Sequence, residues 1–127
     1  MSTDGEVLVL DDEGIVCDCI KEHLGKKGFR VETYTESRTA LDRLENKTFD
    51  VVVTDLKMSG PTGLDVLRFV KQRSPATQVI MITGYGSIES ANEAEIVGAF
   101  DFICKPFALD DIYALVEKAA KRAKKLR

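Results

Sequence analysis

The stretch that most constrains this chain is Phe49-Asp50-Val51-Val52-Val53-Thr54-Asp55, a short β-branched run that stops on an acid. A continuous apolar run of this length, bounded by polar residues, predicts a strand buried on both faces. The turn residues after it, Met58-Ser59-Gly60-Pro61, send the chain back and leave Asp55 at the rim. Two further runs have the same form: Val7-Leu8-Val9-Leu10 ends on Asp11-Asp12-Glu13, and Val79-Ile80-Met81-Ile82 ends on Thr83-Gly84. Phe100-Asp101-Phe102-Ile103-Cys104 predicts a last strand, ending on Lys105-Pro106. Phe29 to Tyr34 alternates, as a half-exposed edge strand does.

Helical spacing fills the intervals. Val16, Cys19, Ile20, His23 and Leu24 mark one helix, stopped at Gly28. Ser37 is expected to cap a second, which turns Ala40, Leu41 and Leu44 inward. Leu64, Leu67 and Val70 mark a third, stopped at Ser74-Pro75. A polar helix is expected over roughly 88–97, with Glu89, Glu93 and Glu95 outward, and a final one over about 108–127. Strands alternating with helices predict an α/β fold: a five-stranded parallel sheet of order 2-1-3-4-5, helices on both faces, flavodoxin-like. With 127 residues the chain suits one domain and is too short for a closed α/β barrel.

Composition narrows the function. A chain 44% apolar and 31% charged is neither disordered nor membrane-spanning, and a net charge of −3 gives no sign of a nucleic-acid binder. The polar start is unlike a secretory signal, and three cysteines without zinc-like spacing fit reduced thiols in a cytoplasm. Cys17 and Cys19 are expected on different faces of their helix, and His23 as a packed side chain rather than a base or ligand.

In a parallel sheet the carboxyl ends of all strands share one edge, where open α/β sheets bind ligands. Asp11, Asp12, Asp55, Thr83 and Lys105 therefore converge. Clustered carboxylates repel and call for a cation, and hard oxygen ligands with room for water suit Mg²⁺ rather than zinc. Lys105 adds a point charge and Thr83 a hydroxyl donor, which is what a tetrahedral dianion needs. The set suits phosphoryl transfer onto a carboxylate. Taken singly, a strand-end Asp is a helix cap and a Lys before Pro is solvated. The coincidence of four strand ends is what argues for a site.

These residues, with Asp55 set in Asp-Leu-Lys-Met and Lys105 in Lys-Pro-Phe, resemble the receiver domain of bacterial two-component response regulators over essentially the whole chain. Around Tyr85-Gly86 and Ala99 to Phe102 the resemblance is to the receivers of NtrC-type activators. It implies that Asp55 accepts phosphate from a sensor histidine kinase or a phosphotransfer protein. Asp12, Asp55 and the Lys57 backbone carbonyl would bind Mg²⁺, with Asp11 acting largely through water. Thr83 and Lys105 would hold the phosphoryl oxygens, helped by the N–H groups of Lys57 and Gly84. Phe102 matches the switch aromatic that follows Thr83, and Lys105-Pro106 would be cis.

The resemblance further implies a cytoplasmic phospho-acceptor rather than an enzyme, with at most slow self-phosphorylation and autodephosphorylation. Neither nucleic acid nor membrane would touch this domain directly. The readout face, and a homodimer contact, would comprise the helix after strand four, strand five and the last helix. Ser59 and Thr62 depart from the family's usual Pro and Asp, Gly14 loosens the start of the first helix, and Lys57 and Tyr85 occupy positions that tune autodephosphorylation. In the last helix Leu109, Ile112, Val116, Ala119, Ala123 and Leu126 form a stripe. Ala123 and Leu126 are expected past the sheet's edge, opening a linker to an output domain. The basic run Lys121 to Arg127 is expected to be solvated. The alternatives are a stand-alone phosphorelay or motility receiver, and a haloacid-dehalogenase-type phosphatase. Those phosphatases place a second Asp where this chain has Lys57.

Overall fold

The structure is a computed structural model that describes residues 4–84, 92 and 98–127. Its strands are β1 (Gly5–Leu10), β2 (Phe29–Tyr34), β3 (Val51–Asp55), β4 (Gln78–Thr83) and β5 (Asp101–Cys104). Its helices are α1 (Gly14–Lys26), α2 (Ser37–Asn46), α3 (Gly63–Arg73) and α4 (Leu109–Leu126). The strands form one parallel sheet in the order β2-β1-β3-β4-β5, as expected. The continuous apolar runs of β1, β3 and β4 lie in its interior, and alternating β2 lies at an edge.

Side chains leave a strand alternately to either face, so each run feeds two cores. Val7, Val9, Val53, Ile80 and Ile82 meet Ile20 and Leu24 of α1 and Ile112 and Val116 of α4. Leu8, Leu10, Val52 and Met81 meet Ala40 of α2 and Val66, Leu67 and Val70 of α3. Burying one such side chain stabilises the fold by about 1.5–3 kcal/mol. Register then fixes the rim: Leu10 is opposite Thr54, Asp55 opposite Ile82, and Thr83 opposite Cys104.

Three local expectations are corrected. Ser37 does not cap α2; the N-cap is Glu36, and the Ser37 hydroxyl donates instead to the Ser59 carbonyl at 3.2 Å. Cys19 is exposed, and Cys17 takes the inward position on α1, its thiol 3.3 Å from the Asp11 carbonyl oxygen. Burial raises the pKa of that thiol and keeps it protonated. Ala123 is fully buried rather than past the sheet's edge, while Leu126 is exposed. Small side chains at Ala119, Ala120 and Ala123 let α4 lie close, and its end is tied down. Arg127 reaches Asp50 at 2.6 Å and the Lys124 ammonium donates to the Asp4 carbonyl, so part of the basic run is anchored.

His23 is packed as expected, edge-on to Tyr113, with Nε2 3.0 Å from Asp110 Oδ1. Gly28, at φ +100°, takes the left-handed turn after α1. Of the helix expected over 88–97 only residue 92 is described, in helical conformation; its three glutamates and Tyr85 lie outside the described residues.

Candidate functional site

The loop that follows β3 fixes Asp55. Leu56 N–H donates to the Ile82 carbonyl at 2.9 Å and so extends the ladder one residue beyond the acid. Seven residues on, Gly63 N–H donates back to the Leu56 carbonyl at 3.0 Å. Gly63 is needed for space: a Cβ there would stand 2.8 Å from Leu56 Cα and nearer still to the Asp55 carbonyl oxygen. Thr62 caps α3 in a reciprocal capping box with Asp65. The loop is thus pinned at both ends.

Four charged side chains meet at this rim. Lys105 Nζ lies 2.7 Å from Glu13 Oε1, 2.9 Å from Asp11 Oδ2 and 3.2 Å from Asp55 Oδ2. The other oxygens of the two aspartates are held by backbone. Asp11 Oδ1 accepts from Glu13 N–H at 2.9 Å, and Asp55 Oδ1 from Lys57 N–H at 3.0 Å. Asp11 is fully buried, and burial pushes its carboxyl pKa up against the pull of the Glu13 N–H and of Lys105. For Lys105, burial opposes the ammonium, but Glu13, Asp11 and Asp55 together outweigh it and hold the pKa above the ordinary lysine value. Lys105 therefore carries its charge at neutral pH.

Oxygens of Asp11, Asp12 and Asp55 all lie within 4.8 Å of one another. Asp12 is exposed and Asp55 nearly buried, so the cluster opens to solvent on one side. Asp11 Oδ2 is buried, and the polar group it meets is the Lys105 ammonium at 2.9 Å.

Of the remaining expected residues, Lys57 touches this centre directly, and the others make contacts elsewhere. Thr83 Oγ1 donates to the Ile103 carbonyl of β5 at 3.4 Å, a long bond. Lys105 N–H donates to the Thr83 carbonyl at 2.8 Å, and Lys105-Pro106 is cis. Gly84 is exposed, and a Cβ on it would meet nothing within 4 Å. Phe102 is half-buried against the core under α2 and α3. Lys57 N–H serves the Asp55 carboxylate. The sequence reading gave no role to Glu13, which makes the shortest contact with Lys105. Its signal was present as the third acid after β1, at a helix start with no usual capping residue.

The response regulator receiver domain family matches residues 7–117 of this chain. The chain belongs to that family. Among curated relatives, the transcriptional regulatory protein FixJ of Bradyrhizobium diazoefficiens is 33% identical over 123 residues, 97% of this chain and 60% of FixJ. The DNA-binding transcriptional regulator NtrC of Escherichia coli is 36% identical over 115 residues, 91% of this chain and 24% of NtrC. This receiver domain thus spans only part of the relatives it matches. A solved receiver domain protein from Clostridium thermocellum superposes with a TM-score of 0.89 at 36% identity, covering 96% of this chain and 98% of that one.

Receiver domains are regulatory phospho-acceptors served by histidine kinases or phosphotransfer proteins, and they generally bind Mg²⁺ at an acidic site. The residues here fit such an ion. The donor set is all oxygen, and its three carboxylates carry more negative charge than the single Lys105 ammonium beside them offsets. Among the described residues no helix is long and apolar enough to cross a membrane.

Proposed function

We propose that Asp55 is the phospho-acceptor of this receiver domain, and that Asp11, Asp12, Asp55 and the Lys57 carbonyl hold Mg²⁺ beside it. The observation that carries this reading is the position of the Asp55 carboxylate. It stands at a sheet rim, 3.2 Å from an ammonium and within a cluster of three aspartates. When bound, the ion neutralises the carboxylates and the charge that builds on the transferring group. An Asp55 oxygen forms the new P–O bond as the P–N bond of the donor phosphohistidine breaks, and the imidazole leaves with the bonding pair. Lys57 N–H and Lys105 fix the carboxylate during attack. Lys105 then meets a phosphoryl oxygen, and Thr83 joins it by giving up its long bond to Ile103, a small loss. Phe102, on β5 two residues before the register partner of Thr83, would follow it inward, and the exposed Gly84 would offer its N–H.

A protein donor is supported by the surface next to Lys105. A groove of about 580 Å³ is lined by Ile15, Val16, Cys19, Ile20, Phe107 and Leu109, and Ile15 is 72% exposed. Such a surface suits the apolar stripe of a donor helix. We further propose a cytoplasmic regulator in which this one receiver domain controls transcription through an NtrC-type effector reached from α4. Pairing through β5 and α4 would be its response to phosphate. Sedimentation with and without beryllofluoride tests the pairing, and the coding sequence beyond Arg127 tests the effector.

Incubation with acetyl phosphate and Mg²⁺, followed by intact-mass measurement, tests the site. The wild type gains the mass of one phosphoryl group, while Asp55→Asn and an EDTA-treated sample gain none. Phosphorylation of Asp55→Asn at wild-type extent would remove Asp55 from its role.

A further inference from the structure

An ammonium has three N–H donors, and all three carboxylates around Lys105 Nζ lie within 3.2 Å. Asp55 becomes the phosphorylated residue and Asp11 belongs to the acidic cluster. Glu13 belongs to neither, yet its carboxylate makes the shortest of the three contacts, at 2.7 Å. Glu13 is also the N-cap of α1, a position where Ser, Thr, Asp and Asn are preferred because their short side chains bond the first turn's free N–H groups. The glutamate makes no such bond, and the first turn of α1 carries no acidic residue either. Its side chain has instead crossed to a residue 92 positions away.

We propose that Glu13 is a competing counter-ion that occupies Lys105 in the resting domain and must be displaced before Lys105 grips the phosphoryl group. Glu13 is thus a positioning residue acting through Lys105, and it weakens phosphate retention. Its side chain is 58% exposed, so the displaced carboxylate passes into water rather than into the core. The exposed side of the pair keeps the effect modest, about two- to fivefold. This inference rests on the phosphorylation reading of Asp55.

Beryllofluoride binding in saturating Mg²⁺, followed by calorimetry, tests it on the wild type, Glu13→Asp and Glu13→Ser. Both replacements are too short to hold Lys105 and both are good N-caps, so α1 keeps or gains stability. The aspartate also keeps the charge near the metal cluster. Both variants are expected to bind beryllofluoride about two- to fivefold more tightly than the wild type, and to hold phosphate from acetyl phosphate correspondingly longer. Damage to the site weakens binding, so the direction of the change separates the two causes. Equal or weaker binding by Glu13→Asp overturns the role given to Glu13. If the wild type itself binds no beryllofluoride, the phosphorylation reading fails first, whatever the variants do.

Discussion

Asp11 is a side chain whose place costs the fold at neutral pH and whose proposed use is to hold Mg²⁺. Its carboxylate is buried beside another acid, and burial raises its pKa above that of the unfolded chain. A raised carboxyl pKa gives a stabilising contribution that is complete below the unfolded value of about 3.9 and fades as pH rises through the folded value. At neutral pH without metal the ionised form therefore weakens the fold. Asp11→Asn is expected to melt higher than the wild type at pH 7 in EDTA, with the gap shrinking toward pH 3. The same variant should lose the rise in melting temperature that Mg²⁺ gives the wild type. Thermal unfolding over a pH series, with and without the ion, checks both directions.

At the scale of elements, edge strand β2 is held to its neighbours by charge as well as by its ladder. Glu32 accepts from Arg43 of α2 at 2.8 and 3.0 Å, and Lys47 lies 3.5 Å away. The Arg43 hydrogen bonds bring the Glu32 pKa down to about 2. A lowered carboxyl pKa stabilises the folded state above the unfolded value and ceases to do so as pH falls through the folded one. Glu32→Gln should melt lower than the wild type at pH 7, with the two curves converging between about pH 4.5 and about pH 2.

A second elemental constraint is Gly63, where Asp55 and Leu56 leave no room for a side chain. Gly63→Ala is expected to cost about 1–3 kcal/mol by forcing the two segments apart. It should also slow phosphorylation by acetyl phosphate, since the atoms displaced carry Asp55. A variant that unfolds and phosphorylates like the wild type would show that the loop yields freely.

Most of the architecture was legible in the order of short apolar runs, because a sheet buried on both faces leaves little choice of residue. The strand ends were legible for the same reason: a parallel sheet turns sequence order into spatial convergence. Side-chain reach was not. Nothing in the spacing tells that Glu13 leaves its helix for Lys105, or that Ser37 prefers the Ser59 carbonyl to its own helix. Ala123 was misplaced because the length of α4 covered by the sheet depends on how its end is fastened, at Asp50 and Asp4.

For the whole molecule, the proposed Mg²⁺ site would couple folding to metal. A ligand that binds only the folded state stabilises it by RT ln(1 + [L]/Kd), about 2.7 kcal/mol at a hundredfold excess over Kd. Mg²⁺ titrated into the wild type is expected to raise the unfolding midpoint steadily, and EDTA to restore it. Asp55→Asn should respond weakly, having lost one charged ligand.

The amide of Lys105 and the carbonyl of Thr83 are partners across the last pair of strands. Hydroxyl and ammonium therefore ride on a single rung. On the proposed switch roles of Thr83 and Phe102, a pull on either group would pass through that bond and fall first on the outermost strand, which carries Phe102.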